Sequence, residues 1–171
     1  MSRVHGVRRL ADGHLRVRLS TRERDLLRSL PAQLRSVLTG EQPSAGARDR
    51  LFPHAYDDPL DELEYRELVG PGLLAQHLEA VDVFARTLDQ GQVGRLTWTV
   101  ELSAEEAGAW LSAVNDARLT LGSLLGITSE DQWERGPDRN QPSSVALWYL
   151  GWLEEELVAA LMTGLPDPAG S

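Results

Sequence analysis

The feature that most constrains the fold of this chain is the apolar pattern of residues 104–127. This is the longest stretch whose apolar side chains keep helical spacing, and at about 100° per residue they fall within one broad arc. The arc contains Trp110, Leu111, Val114, Ala117, Leu121, Leu124 and Leu125. The sequence therefore predicts that the other elements of the domain pack around this helix.

A single charged residue, Arg118, projects from the middle of this arc, and Asn115 lies at its edge. An unpaired cation in a protein core costs several kcal/mol, so another part of the chain should supply a carboxylate. Glu156 is the preferred partner because apolar residues flank it on both sides of the last predicted helix, and Glu154 and Asp57 are alternatives. We interpret Asn115, Arg118 and Glu156 as a structural polar network. A small-ligand site or enzyme around Arg118 is the alternative.

Residues 7–19 predict a β-hairpin that is apolar on one face and basic on the other. An Asp-Gly pair at 12–13 favours a tight turn. After the turn, Leu15, Val17 and Leu19 alternate with arginines, as in a half-buried strand. A second alternating run, at 95–102, predicts a strand that joins the hairpin in a small antiparallel sheet.

The helices are predicted from their caps and breakers. The sequences at 20–23 and 103–106 match capping boxes, and Pro31 predicts a kink or a break near residue 30. Gly70-Pro71 predicts the end of one helix and the start of the next, and residues 40–49 predict a polar loop. The predicted helices lie at about 21–39, 59–69, 71–90, 104–125 and 144–163.

Together these elements predict a mainly helical α+β fold with about five helices and a small antiparallel sheet. The chain has 171 residues, which is long enough to bury a core as one domain, expected over residues 1–166. Residues 167–171 are expected to form a disordered tail.

Several classes of function find no support in the sequence. The chain has no cysteine, which excludes disulfides, thiolate metal sites and a thiol redox switch of its own. No nucleotide-binding, α/β-hydrolase or zinc-protease motif occurs, so no catalytic, cofactor-binding or metal-binding residue is predicted. His77 lies within an apolar stripe and is expected to be a hydrogen-bonded core residue. Neither a signal peptide nor a membrane span is predicted, so we expect a cytoplasmic protein without a membrane partner.

The net charge of −9 is unevenly distributed along the chain. Residues 1–50 contain 11 arginines and five acidic residues, whereas residues 51–171 contain six arginines and 21 acidic residues. A positive face suited to nucleic acid or an acidic partner is predicted from Arg8, Arg9, Arg16, Arg18 and Arg22. The acidic pI of about 4.9 and the lack of a helix-turn-helix pattern favour a different interpretation. In that interpretation these arginines are solvated, or they pair with the acidic remainder or a second subunit.

The last predicted helix carries Trp148 and Trp152 on a second apolar arc, separate from its main one. An apolar arc that stays uncovered indicates a surface for a protein partner. The sequence also allows a homodimer interface or ordinary core, and core is favoured.

Three stretches resemble a known family. They are Arg50-Leu-Phe-Pro with Ala55-Tyr-Asp-Asp58 and Tyr65-Arg-Glu-Leu68, the block 110–127 with its Asn-Asp-Ala-Arg and Leu-Gly pairs, and the block 148–157. They resemble the actinobacterial domain-of-unknown-function family that includes the oxidative-stress transcriptional regulator AosR.

The resemblance spans nearly the whole chain. It implies a cytoplasmic, non-enzymatic regulator that acts with the transcription machinery or with itself, and it offers no catalytic residues to transfer. Because this chain lacks cysteine, it has no thiol switch of its own.

Overall fold

The structure of the chain, a computed structural model, describes residues 5–41, 45–127 and 129–163. Its elements in chain order are β1 Gly6–Arg9, β2 Leu15–Ser20, α1 Thr21–Arg28, α2 Leu30–Thr39, α3 Ala45–Leu51, α4 Pro59–Leu88, β3 Gln92–Val93, β4 Thr97–Leu102, α5 Ala104–Leu124, α6 Glu130–Glu134 and α7 Pro142–Met162. This arrangement confirms the predicted fold class, mainly helical α+β with a small antiparallel sheet. The predicted tail at 167–171 lies outside the described residues.

The sheet is antiparallel, with the strand order β1-β2-β4-β3. The pairing of β2 with β4 places Arg16 opposite Glu101, 85 positions away, which confirms that the 95–102 strand joins the hairpin. The inner face is apolar because the alternation predicted for β2 continues in β4. Its buried residues are Leu15, Val17, Leu19, Trp98, Val100 and Leu102.

The core is centred on Trp110 of α5. Its ring stacks on Trp98 with centroids 6.2 Å apart and meets the ring of Phe84 edge-on at 4.9 Å. The buried indole N–H donates a hydrogen bond of 2.7 Å to the hydroxyl of Thr87, so this polar atom is satisfied within the core. Besides α4, α5 also packs against α3 and α7, which places it at the centre of the fold.

The buried face of α5 differs from the predicted arc at both edges. Leu124 was predicted to be buried, but it is 67% exposed. Asp116 and Thr120 are buried instead. The reason is that α5 is covered from several sides and that both polar side chains are hydrogen-bonded: Asp116 binds His77 of α4, and Thr120 donates to the carbonyl of Asp116 in its own helix.

The predicted break near residue 30 is present, but the break at Gly70-Pro71 is not. The first helical segment ends at Ser29, between α1 and α2. In contrast, α4 continues through Pro71 as one helix of 30 residues. A proline disfavours helical backbone at the preceding residue mainly through a clash with its Cβ, which Gly70 lacks.

The predicted loop at 40–49 is also partly wrong, because residues 45–51 form α3. Ala47 and Leu51 are one turn apart and both are buried against the core. A Cβ on Gly46 would lie 2.6 Å from the hydroxyl of Ser123, so the glycine allows α3 to approach α5 closely. The glycine that suggested a loop therefore serves helix packing.

We expect Thr87→Val to lower the free energy of unfolding by about 1–3 kcal/mol, because it leaves the indole N–H of Trp110 buried without an acceptor. Thr39→Val is the matched control, since the exposed Thr39 hydroxyl bonds only to the carbonyl of Arg35 in its own helix. Urea denaturation of the two variants measures the difference. Equal losses would show that the Trp110 hydrogen bond contributes nothing specific.

Candidate functional site

Arg118 of α5 pairs with Glu154 of α7. Its Nη1 donates to Oε2 of the carboxylate, and the two side chains are 27% and 19% exposed. The guanidinium also lies over the ring of Trp133 in α6, with Cζ 5.1 Å from the ring centroid. Arg118 is therefore half-buried rather than enclosed in the core, and it joins three helices through one ion pair and one cation–π contact.

The predicted network of Asn115, Arg118 and Glu156 does not assemble in this form. Glu154, an alternative in the sequence prediction, takes the place of Glu156 as the carboxylate that binds Arg118. Glu156 accepts a hydrogen bond from the backbone N–H of Val7 at 3.4 Å, so it holds the edge strand of the sheet against α7. Within the described residues, Asn115 makes no hydrogen bond to Arg118.

The alternative of a ligand site around Arg118 corresponds to a small cleft of about 190 Å³. Arg50, Asn115, Arg118 and Trp133 contribute to its lining. Both cations are already engaged, because Arg50 donates to the carbonyl of Ile127 at 2.7 Å and Arg118 pairs with Glu154. The geometry favours a structural role for this group over ligand binding.

The arginines of the predicted positive face are only partly brought together. Arg8 and Arg16 face each other in the sheet, and with Arg18 they line one shallow depression on its outer side. Arg16 pairs with Glu101 at 2.8 Å, whereas Arg8 and Arg18 have no ion pair with any described residue. Of the predicted positive face, Arg8, Arg16 and Arg18 therefore form a small cluster on the sheet.

The other two predicted members are placed differently. Arg9 lies on the opposite side of β1 from Arg8 and donates to the carbonyls of Leu161 and Thr163, at 3.2 and 2.6 Å. It therefore caps the end of α7, where a cation complements the helix dipole. Arg22 is exposed on α1 and forms no ion pair with the described part of the chain. Binding of nucleic acid by these arginines stays a prediction.

The tryptophans of α7 are half-buried rather than open. Trp148 stacks on Trp133 with ring centroids 4.1 Å apart, so α6 covers one of its faces. Trp152 packs against the core next to Tyr149, at a centroid distance of 5.7 Å. Most of this predicted partner surface is therefore used for packing within the chain.

The structure reveals a second ion pair on α5 that the sequence prediction did not contain. Nδ1 of His77, on α4, lies 2.6 Å from Oδ2 of Asp116, and the carboxylate is 2% exposed. The hydrogen bond that His77 donates to Asp116 raises the pKa of His77 above its usual 6.5, against the opposing effect of partial burial. The expectation that His77 is hydrogen-bonded is confirmed, and its partner is the acid two positions before Arg118.

His77 lies at one end of a groove of about 560 Å³ between α4 and the segment 48–53. Phe52 meets the ring of His77 edge-on at 5.1 Å, and Leu74 and Tyr65 contribute apolar surface. Of the sites described here, this groove combines the most apolar lining with a titratable side chain. Such a combination is typical of small-molecule sites.

Glu62 holds the other end of this groove. Its carboxylate is buried and accepts hydrogen bonds of 2.9 Å from the backbone N–H groups of Ala55 and Tyr56 and from Nε of Arg66. Burial by itself raises the pKa of Glu62, but the hydrogen bonds from Arg66, Tyr56 and Ala55 outweigh it and lower the pKa. Glu62, which the sequence places near a helix N-terminus, therefore fixes the loop before α4 onto that helix.

The first half of α4 also carries large apolar side chains on its outer surface. Leu60 and Leu68 are each 76% exposed, and Leu63 is 55% exposed. At about 100° per residue these three leucines lie on one broad side of the helix. We call Leu60, Leu63 and Leu68 the leucine face.

Sequence reasoning missed two of these features for identifiable reasons. Part of the signal for the His77–Asp116 pair was present, since His77 lies within an apolar helical stripe and needed a partner, but Asp116 lies outside the apolar arc of its helix. The leucine face gave no such signal, because leucines in an amphipathic helix are ordinarily buried. Their exposure depends on how far α4 extends beyond the helices that pack on it.

Comparison with known proteins gives one family. The family model described as "Domain of unknown function (DUF2017)" matches residues 4–161. Proteins of Mycobacterium tuberculosis and Mycobacterium bovis named "Oxidative stress regulator AosR" are 33% identical, in a match that covers 76% of this chain and 65% of each relative. The AosR relative of Mycobacterium leprae is 38% identical, in a match that covers 67% of this chain and 52% of that protein. The match therefore spans less than two thirds of the length of these relatives.

No solved structure matches this chain. In the described ranges, none of the helices combines the length and the apolar character that crossing a bilayer requires.

We expect Glu154→Gln to lower the free energy of unfolding by about 1.5–3 kcal/mol, because it removes a charge-assisted hydrogen bond from Arg118. The loss stays below the roughly 3–5 kcal/mol of a fully buried pair, since Arg118 can regain water. Glu155→Gln is the matched control on the exposed side of α7. Thermal denaturation of both variants tests this, and equal stability would show that the ion pair does not hold α5 to α7.

His77→Gln should destabilise the protein more at pH 6 than at pH 9. A histidine whose folded-state pKa is raised contributes stability that is complete below its unfolded pKa, near 6.5, and is lost as the pH rises through the folded pKa. Urea denaturation at a series of pH values measures this difference. The pH dependence of this difference should vanish when both proteins also carry Asp116→Asn. A loss of stability that is the same at every pH would show that the His77–Asp116 ion pair does not contribute.

Proposed function

Because the chain belongs to the DUF2017 family, whose similar members are named oxidative stress regulators, we propose that it is a non-enzymatic regulator of transcription. It acts in the cytoplasm by binding a protein of the transcription machinery. The observation that carries this proposal is the leucine face of α4, where Leu60 and Leu68 are each 76% exposed. Exposed apolar clusters of this kind mark protein interaction surfaces.

The surroundings of the leucine face define the chemistry of the partner. Acidic residues are interspersed with the leucines or precede them on the exposed surface: Asp57, Asp58, Asp61, Glu64 and Glu67. A partner with an apolar patch bordered by lysines or arginines would complement this surface in both shape and charge. Such a surface suits regulated, reversible binding, because the acidic rim keeps the free protein soluble.

The leucine face is also held in a defined position. The hydrogen bonds of Glu62 fix the loop at 52–56 onto the start of α4, and the ring of Tyr56 contacts the ring of Tyr65 at 5.7 Å. A helix that is anchored at its free end loses less conformational entropy on binding than a flexible one. The absence of cysteine means that a thiol of this chain does not control the interaction.

A second candidate function is binding of nucleic acid by the arginine cluster on the sheet. The observation that favours it is the placement of Arg8, Arg16 and Arg18 around one depression, with Arg8 and Arg18 unpaired within the described ranges. It is the weaker candidate because Glu101 neutralises Arg16 and because the chain as a whole is acidic, with a net charge of −9.

We expect the wild-type chain to retain RNA polymerase, or a factor bound to it, from the cytoplasm of its native host after nuclease treatment. The double variant Leu60→Ser/Leu68→Ser should lose this retention, because it removes the apolar centre of the proposed interface. The matched control is Leu96→Ser/Leu124→Ser, which replaces two leucines of similar exposure, 75% and 67%, elsewhere on the surface. Mass spectrometry of the retained proteins is the measurement.

Equal retention by the two double variants would contradict the role of the leucine face. Retention that nuclease abolishes, and that Arg16→Glu/Arg18→Glu also abolishes, would favour the nucleic-acid candidate instead. Recovery of the chain's own copies alone would contradict binding to the transcription machinery.

A further inference from the structure

We propose that the groove between α4 and the segment 48–53 binds a small organic acid, with an apolar body in the groove and its carboxylate at His77. None of the three leucines of the leucine face lines this groove, and the groove shares no lining residue with the Arg118 cleft. It does not rest on the proposed function, because the purified chain alone should bind the acid.

The size and lining of the groove fit a small molecule rather than a side chain of a partner. Its volume is about 560 Å³, within the range of roughly 300–1,000 Å³ that ligand sites occupy. Leu51 and Phe52 line one wall, and Leu73 and Leu74 of α4 line the other. These surfaces suit an aromatic or aliphatic body of moderate size.

At position 70, α4 presents a glycine to the groove. Gly70 lies in the lining, and a Cβ built on it would meet no atom within 4 Å. Any larger residue there would project into the open space. A larger side chain at position 70 would therefore occupy part of the groove.

The polar groups at the inner end define the ligand's charge. The buried Asp116 carboxylate accepts from Nδ1 of His77, so the other ring nitrogen, Nε2, remains available and has no hydrogen bond to a described residue. The raised pKa of His77 favours the protonated ring, in which Nε2 is a donor. A group that accepts a hydrogen bond and carries negative charge complements this end.

The remaining charges around the groove agree with an anionic ligand. Both nearby carboxylates are engaged, since Asp116 binds His77 and Glu62 binds Arg66 and two backbone N–H groups. Arg48 and Arg66 line the groove from its two sides. With His77 protonated, the three cations exceed the two carboxylates by one positive charge, which a ligand carboxylate neutralises.

Isothermal titration calorimetry of the full chain at pH 6 tests the proposal with three acids of increasing apolar body: benzoate, naphthalene-2-carboxylate and decanoate. At least one should bind at a single site. The carboxamide of that acid, which keeps the apolar body and removes the negative charge, should bind about tenfold more weakly than the acid. In His77→Gln the preference for the acid over the amide should disappear.

Two glycine variants locate the site. Gly70→Leu should reduce affinity for the acid by at least about tenfold, because leucine fills the groove. The new Cβ also clashes with Pro71, so the melting temperature should fall, and circular dichroism at the titration temperature checks that the variant is folded. Gly72→Leu is the matched control, since Gly72 is on the same helix, also meets nothing within 4 Å and does not line the groove. It should bind like the wild type.

Three outcomes would overturn the proposal. They are the failure of all three acids to bind the wild type, unchanged binding by Gly70→Leu, and equal affinity for acid and amide. Because circular dichroism checks that both glycine variants are folded at the titration temperature, a loss of binding through misfolding is recognised.

Discussion

The fold depends on ion pairs that neutralise the charged side chains of α5, the helix that its neighbours enclose. Asp116 and Arg118 lie two positions apart on α5, so they point to different sides of the helix. Asp116 binds His77 of α4, and Arg118 binds Glu154 of α7. A buried charge that loses its partner is strongly destabilising, so each pair favours one arrangement of its two helices over sliding alternatives. The aromatic packing around Trp110 adds the apolar part of the same core.

The two halves of α4 have different surroundings: the second half is buried in the core, whereas the first half carries the two proposed binding surfaces. The second half, which contains Phe84 and Leu88, is buried against the sheet and α5. The first half extends beyond those elements and carries both the exposed leucine face and several residues that line the groove. Glu62 and the loop that it binds keep this extension fixed. The proposed partner surface and the proposed ligand site therefore share one rigid helix, which brings a ligand in the groove into contact with the element that carries the interface.

The comparison between sequence and structure shows where local rules suffice. The hairpin, the 97–102 strand, both predicted capping boxes and the break near Pro31 were all predicted, because each depends on residues within a few positions of one another. The same rules failed at 45–51 and at Gly70-Pro71. In both places a glycine was interpreted as a breaker, whereas its missing side chain permits close packing at Gly46 and helical continuity at Gly70. At 45–51 local propensity was overridden by packing against α5, whereas at Gly70 the reason is local.

The sequence by itself determined the fold class, the central position of the 104–124 helix, the need of Arg118 for a carboxylate and the lack of a thiol switch. It determined these because periodicity, caps and composition are properties of short segments or of the whole chain. Only the tertiary structure decided that the carboxylate is Glu154 and not Glu156, that His77 binds Asp116, and that three leucines of α4 face solvent. These choices depend on the rotation and extent of each helix relative to elements tens of residues away. Glu154 and Glu156 point to different sides of α7, so only the packing between helices decides which of them meets Arg118.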